Sequence, residues 1–348
     1  MVIDENGTSV KIKVIGVGGG GSNSVNRMAQ ELTGAELIVI NTDAQALSRA
    51  TVPNRIRIGE QLTRGLGVGG DPTLGARAAE ESRLQLARAV RDADIVIVTA
   101  GMGGGTGTGA APLVAELAKQ AGVLTIGIVT KPFSFEGSKR AANAVEGIER
   151  LQKKVDTLIV IPNDRLLTTC ERSASIAAAF RKADDVIRQA VVALSELITV
   201  PGEINLDFAD VKTIMTNSGP GLVAIGRGSG ENAAIEAAQA AMTSPLLDTT
   251  MAGARRVLLN ITGGPEMALA QIQAAVEVIR QGVHSEANLI MGMAFDPELD
   301  SEVRITLIAT DLDVSQPRPP KESLPKGEKS QPQSTARRQV PWASFLSS

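Results

Sequence analysis

The sequence predicts an α/β fold in which a Rossmann-type parallel sheet is joined by one long helix to a second, α+β domain with a mixed sheet. Three observations carry the prediction. Apolar runs of strand length alternate with helical stretches from Lys11 to Pro162, the pattern of a parallel sheet covered on both faces. Glycine-rich segments at 16–23, 65–71 and 103–109 punctuate those units. Residues 175–200 then continue as a single amphipathic helix stopped by Pro201-Gly202.

Strands are expected at 11–17, 36–41, 94–99, 124–129 and 156–161. After the first comes Gly16-x-Gly18-x-x-Gly21, containing Gly19 and Gly20 and ending at Asn23; after the second come Asn41 and Asp43. Ligands on such sheets bind beyond the carboxyl ends of the strands, where these loops fall. The loop holding Gly69 and Gly70 ends in Asp71-Pro72, which opens a long amphipathic helix.

The densest signal is Gly103-Gly104-Gly105-Thr106-Gly107-Thr108-Gly109, between an apolar strand and a helix over 110–120 with Gly122 as its C-cap. Glycines let backbone N–H groups approach an anion, a helix N-terminus adds positive dipole, and the threonine hydroxyls donate further hydrogen bonds. A phosphate fits that description better than a flexible linker does. Residues 95–115 lack charge, but so many glycines would leave loop amides unsatisfied in lipid.

Several chemistries compete for these loops. The first glycine run matches a dinucleotide fingerprint, with Asp43 placed for a ribose, yet a dinucleotide has no need of the other two loops. A P-loop is excluded because the chain contains no Gly-Lys dipeptide. His284 is the sole histidine and Cys170 the sole cysteine, so metal clusters, disulfides and nucleophile triads are poorly supported.

The helix over 175–200 carries Ile176, Phe180, Ala183, Ile187, Ala190, Leu194 and Leu197 on one face. Beyond it, strands are expected at 211–217, 221–227, 255–262, 287–295 and 302–311, with helices near 231–242 and 265–281. Asn205, Asp207 and Asp210 form an acidic loop after the long helix. Two carboxylates and an amide there could position a water, although spacing alone favours helix capping and turn chemistry.

With 348 residues, 43% hydrophobic content and a net charge of −3, the chain gives no sign of a nucleic-acid partner or of direct membrane insertion. No apolar leader precedes the first strand, so the expected compartment is the cytoplasm. The charge is uneven: residues 314–348 hold six basic side chains against Glu322 and Glu328, a tail of +4 on a body of −7. Rich in Pro, Ser, Lys and Gln, the tail is expected to be disordered, and its apolar end, Val340 to Leu346, has the composition of a docking peptide.

These loops, in this order, resemble the tubulin/FtsZ superfamily over roughly residues 10–313, and its cell-division branch in particular. The resemblance implies a tubulin-like fold with a GTP-binding domain at 1–175, a connecting helix at 176–200, a polymerisation domain at 201–313 and a linker with docking peptide at 314–348. It implies GTP/GDP and Mg²⁺ as ligands. Gly18, Gly19, Gly20, Gly21, Asn23, Asn41 and Asp43 would then line the nucleotide with Gly69 and Gly70 facing the γ-phosphate, and Gly103 to Gly109 would embrace the α and β phosphates. Pro132, Glu136 and Arg140 would reach the ribose and nearby phosphate, while Asn163, Phe180 and either Asp184 or Asp185 would recognise guanine. Asp207, Asp210 and Asn205 would act on the nucleotide of the neighbouring subunit in a head-to-tail homopolymer. Division and membrane-anchoring proteins would dock on the tail, placing the filament at the division site on the inner face of the membrane. The tail departs from the family's pattern, since Gln339 precedes Val340-Pro341 and three residues separate Pro341 from Phe345-Leu346.

Overall fold

The computed structural model describes residues 10–32, 34–167, 175–199, 203–204, 207–244 and 251–312. Its first half is built as the alternation demands. β1 (Ile12–Val17) leads into α1 (Gly18–Met28), β2 (Ala35–Asn41) into α2 (Ala44–Ser48), and the short β3 (Asn54–Arg57) into α3 (Glu60–Thr63). Two further helices, α4 (Pro72–Glu81) and α5 (Arg83–Val90), precede β4 (Ile95–Gly101), α6 (Thr106–Gln120), β5 (Leu124–Lys131), α7 (Ser138–Gln152), β6 (Thr157–Pro162) and α8 (Asn163–Leu167). α9 (Ile176–Thr199) follows, then α10 (Phe208–Met215), β7 (Gly219–Ser229), α11 (Ala233–Met242), β8 (Arg256–Gly263), α12 (Leu269–Gln281), β9 (Asn288–Phe295) and β10 (Glu302–Thr310).

Among the described residues the strands form one sheet in the order β3-β2-β1-β4-β5-β6-β7-β10-β8-β9. All pairings from β3 to β6 are parallel, which gives the doubly wound order with its switch point between β1 and β4. A short parallel pairing of Thr157–Ile159 with Gly219–Gly221 carries the sheet into its second half. There β10 runs antiparallel to both β7 and β8, and β9 is parallel to β8, so that half is mixed.

Apolar side chains pack on both faces of the parallel half. One face is filled by α1 and α9 residues, including Val25, Met28, Ile187, Val191 and Leu194; the other by Val96, Val98, Ala111, Val114 and Leu151. The 24 residues of α9 bury Ala183, Ile187, Ala190, Leu194 and Leu197 along one stripe, and at 1.5 Å per residue the helix is about 36 Å long. In the second half, the alanines of α11 lie directly on β7. A Cβ at Gly226 would stand 1.9 Å from the Ala237 carbonyl oxygen, and one at Gly228 2.1 Å from that of Ala233.

Three expectations are corrected. Residues 211–217 are not a strand: Val211, Ile214 and Met215 are buried at i, i+3 and i+4 on α10, and the Asp210 carboxylate accepts from the Asp207 N–H at 3.3 Å to cap its first turn. The helix opened by Pro72 breaks at Ser82, because tertiary contacts seize that turn. Ser82 Oγ accepts from Gly59 N at 3.0 Å, and Glu81 accepts from Gln61 N and Leu62 N. The helix expected from 265 begins at Leu269. The edge strand β3, Asn-Arg-Ile-Arg, carries no apolar run and so leaves no strand signal in the sequence.

Candidate functional site

The glycine-rich loops meet at the switch point. Two of them are shorter than the sequence suggests, because α1 already starts at Gly18 and α6 at Thr106, so the later glycines of each run lie in a first helical turn. Both helix N-termini therefore point unpaired N–H groups and positive dipole at the crevice beyond β1 and β4.

The glycines divide by role. Gly18, at φ 71°, would place a Cβ 2.6 Å from Gly107 N, and Gly21 would place one 2.3 Å from Thr99 O, so both hold α1 against neighbouring backbone. Gly20 would meet Gly101 Cα at 3.2 Å. Gly107 would meet Gly101 O at 2.8 Å, and Gly105 would meet Val68 Cγ2 at 2.4 Å. A Cβ on Gly109 would strike Pro72 O at 2.2 Å, and one on Gly103 (φ 98°) Arg140 O at 2.6 Å. By contrast, Gly19, Gly69 and Gly70 face open space, and Gly104 has only Arg140 Nη2 at 3.9 Å. Those four leave their backbone accessible to an anion.

The threonines divide likewise. Thr108 is fully buried and accepts from Gly103 N at 2.8 Å, so its hydroxyl ties the loop together from within. Thr108→Val should cost about 1–3 kcal/mol by leaving that N–H unpaired, read as a lowered melting temperature; an unchanged melt would count against the role. Thr106 Oγ1 lies 2.7 Å from Thr42 Oγ1 and links the loop to the end of β2. Asn41 accepts from Asp43 N at 3.2 Å, and Asp43 caps α2 through Gln45 N and Ala46 N. Asn23 is exposed on α1.

Pro132 follows the last residue of β5, where Lys131 pairs with Pro162 of β6, and leads to an aromatic cluster. Phe133 is buried, stacks on Phe135 at 4.9 Å and meets Phe180 edge-on at 5.3 Å. Glu136 accepts from Phe133 N at 2.9 Å and pairs with half-exposed Arg140 at 3.0 Å, leaving that guanidinium beside Gly104 while the Arg140 backbone backs Gly103. Asn163, the first residue of α8, is buried, and its Oδ1 finds no partner among the described residues.

Asp184 and Asp185 point to different neighbours. Asp184 lies one turn from Phe180 on α9, and reaches Ser24 Oγ at 3.3 Å and Arg27 Nε at 3.2 Å on α1. Burial pushes its carboxyl above the usual range, with Arg27 and Ser24 opposing the shift. Asp185 is turned away to Arg188, at 2.6 Å, and to Gln189 at 2.7 Å. Asp207 is exposed at the start of α10, and the Asp210 carboxylate is engaged in the cap of that helix. Asn205 lies outside the described residues, as do Cys170 and the tail from 313.

Sequence reasoning missed Phe133, Phe135, Ser24 and Arg27. Composition held a signal for the first two: the chain has only six phenylalanines and no tyrosine, and two of the six flank Ser134.

Comparison with known proteins agrees with this architecture. A model of the Tubulin/FtsZ family GTPase domain matches residues 11–171, and one of the FtsZ family C-terminal domain matches 219–313. An empty FtsZ dimer from M. jannaschii is similar at 43% identity and a TM-score of 0.83, over 87% of this chain and 88% of that one. The GDP-bound CetZ1 monomer from Haloferax volcanii (23% identity, TM-score 0.76, 86% and 94% covered) shares the fold. So does the GTPγS-bound CetZ2 protofilament from the same organism, at 22% identity and a TM-score of 0.73, over 86% and 92%.

Proposed function

The chain belongs to the tubulin/FtsZ family of GTPases, and from that membership we propose that it polymerises head to tail and hydrolyses GTP at the joint between subunits. The dinucleotide alternative has no comparable support. The observation that carries this reading is the separation along α9. Along α9, Phe180 stands about 30 Å from Thr199, and α10 meets the sheet edge opposite the glycine loops, where Thr157 Oγ1 at the start of β6 donates to Met215 O. Asp207 and Asp210 are thus out of reach of their own chain's crevice, and a heterologous contact that does not close delivers them to the next one.

In this reading, residues 1–175 hold the nucleotide, 176–200 connect, 201–313 supply the acidic loop, and 314–348 form the linker and docking tail. Backbone amides at Gly19, Gly69, Gly70 and Gly104 take the phosphates, with Gly20 setting the close approach of α1 to Gly101 behind them. Arg140 adds positive charge, and Glu136 orients it and meets the ribose. Phe180 stacks on guanine while Asn163 and Asp184 bond its edge; Asp184, rather than Asp185, is favoured because it shares the Phe180 face and the Ser24 contact. The unpartnered Asn163 oxygen is an acceptor awaiting a donor of that kind.

Asp207 and Asp210 of the adjoining subunit, with Asn205, orient a water. As its oxygen bonds to the γ-phosphorus, the carboxylates take up its proton and the bond from that phosphorus to the β,γ-bridging oxygen breaks, its electrons leaving with GDP. The described residues hold no cluster of three or more metal-binding side chains, so Mg²⁺ would be held by phosphates and water, where it neutralises triphosphate charge. Loss of the γ-phosphate then weakens the joint that completed the site. The filament would scaffold division from the cytoplasmic face of the membrane, with anchoring partners held by the tail; no helix among the described residues is long and apolar enough to cross a membrane.

The cap formed by Asp210 favours one alternative, a filament whose acidic loop is purely structural. GTP-dependent phosphate release as a function of protein concentration separates the two. A threshold followed by a linear rise is expected from a site completed by assembly. Strict proportionality to concentration would mean a self-sufficient monomer, and polymer without phosphate release would identify the structural filament.

A further inference from the structure

We propose that Phe135 forms the second wall of the base site, meeting the purine edge-on while Phe180 meets its face. The inference rests on the nucleotide reading above. Three of the chain's six phenylalanines gather at one corner of the crevice. Phe133 is buried beneath the other two and fixes them, stacked within 13° of Phe135 and perpendicular to Phe180. The upper pair stand at 86° with centroids 6.4 Å apart, and remain 54% and 39% exposed respectively.

That arrangement is costly unless something covers it, since exposed aromatic area forgoes the burial a Phe normally gains. Two rings at a right angle make a corner. A planar base lying on the face of Phe180 turns its electropositive rim toward the ring of Phe135, the edge-to-face geometry that aromatic pairs adopt at centroid separations of about 4.5–7 Å. The corner is also tied to the phosphate end of the site. Glu136, adjacent to Phe135, accepts from Phe133 N and holds Arg140, and the neighbouring Ser134 N–H donates to Asp164 beside Asn163. Phe135 is therefore placed by the same turn that places the ribose-side and base-edge residues.

The test compares Phe135→Leu with the unsubstituted full-length chain, titrating each with GTP and with tripolyphosphate, which has phosphates but no base. The expected result is a Kd for GTP about 3–10-fold higher, the size of an aromatic edge contact, with tripolyphosphate binding unchanged. A Phe135→Trp chain, read above the Trp342 background, should change its emission with GTP and not with tripolyphosphate. An unchanged GTP Kd overturns the proposal. Equal weakening of both ligands does so too, since it would mark Phe135 as a loop-packing residue, as would lost assembly at unaltered GTP affinity, which assigns the ring to a subunit contact. Failure of the unsubstituted chain to bind GTP would remove the nucleotide reading itself, and this inference with it.

Discussion

Asp210→Asn should bind GTP as the unsubstituted chain does and release phosphate about 10²–10⁴-fold more slowly, the range expected when a positioned general base is lost. Asparagine is the informative replacement. The Asp210 side chain accepts the Asp207 N–H at the start of α10, and an amide oxygen preserves that bond while removing the proton acceptor. Alanine would delete both, adding about 1 kcal/mol of lost capping to any catalytic effect. Measurements of GTP affinity, pelletable polymer and phosphate release on one preparation separate these contributions. Mixing gives a second check. If the acidic loop serves the next subunit's nucleotide, Asp210→Asn chains added to a chain defective in GTP binding should generate joints of mixed origin whose turnover depends on the ratio. Full turnover in Asp210→Asn would remove the composite site, and turnover that simply dilutes with mixing would place the whole reaction within one chain.

Gly109→Ala should lower stability by about 2 kcal/mol or more despite improving helix propensity. The methyl gains about 1 kcal/mol within α6. Against that, its position falls 2.2 Å from Pro72 O and 2.5 Å from Ala76 N, backbone atoms that cannot rotate aside, so α4 must move off α6. Gly75 makes the reciprocal contact, where a Cβ would lie 2.3 Å from Gly105 O. Since α4 begins directly after Gly69, Gly70 and Asp71, its displacement drags one phosphate loop away from another, and GTP affinity should fall together with melting temperature. Gly19→Ala is the complementary variant. Nothing lies within 4 Å of a Cβ there, so the melt should be unaffected while nucleotide binding weakens. A Gly109→Ala chain with normal melting temperature would mean that the helices part freely; a Gly19→Ala chain with normal affinity would take that face out of the site.

The parallel order, the glycine loops at the strand ends and the long helix were all legible in the linear chain. Strand and helix periodicities are local, and a glycine run between them marks backbone that must come close to something. Residues 211–217 show where that reasoning stops. Val211, Thr213 and Ile214 favour a strand by propensity, but the Asp207–Asp210 cap and the burial of Val211, Ile214 and Met215 on one face make a helix. Asp184 and Asp185 are chemically identical in sequence. Only the docking of α1 against α9, which brings Ser24 and Arg27 within reach across about 160 positions, tells them apart.

The same holds for the signature loop. Seven residues read alike as phosphate-binding, yet the fold turns Thr108 inward to Gly103 and spends Gly105, Gly107 and Gly109 on close packing. Residue order alone sets which backbone segments are free of side chains and in what order they emerge from the sheet. Tertiary structure decided which of them face the crevice, and it gathered Phe133, Phe135 and Phe180 into one corner. A residue's conformational freedom is its own property, whereas its partner is set by long-range packing that no local window contains.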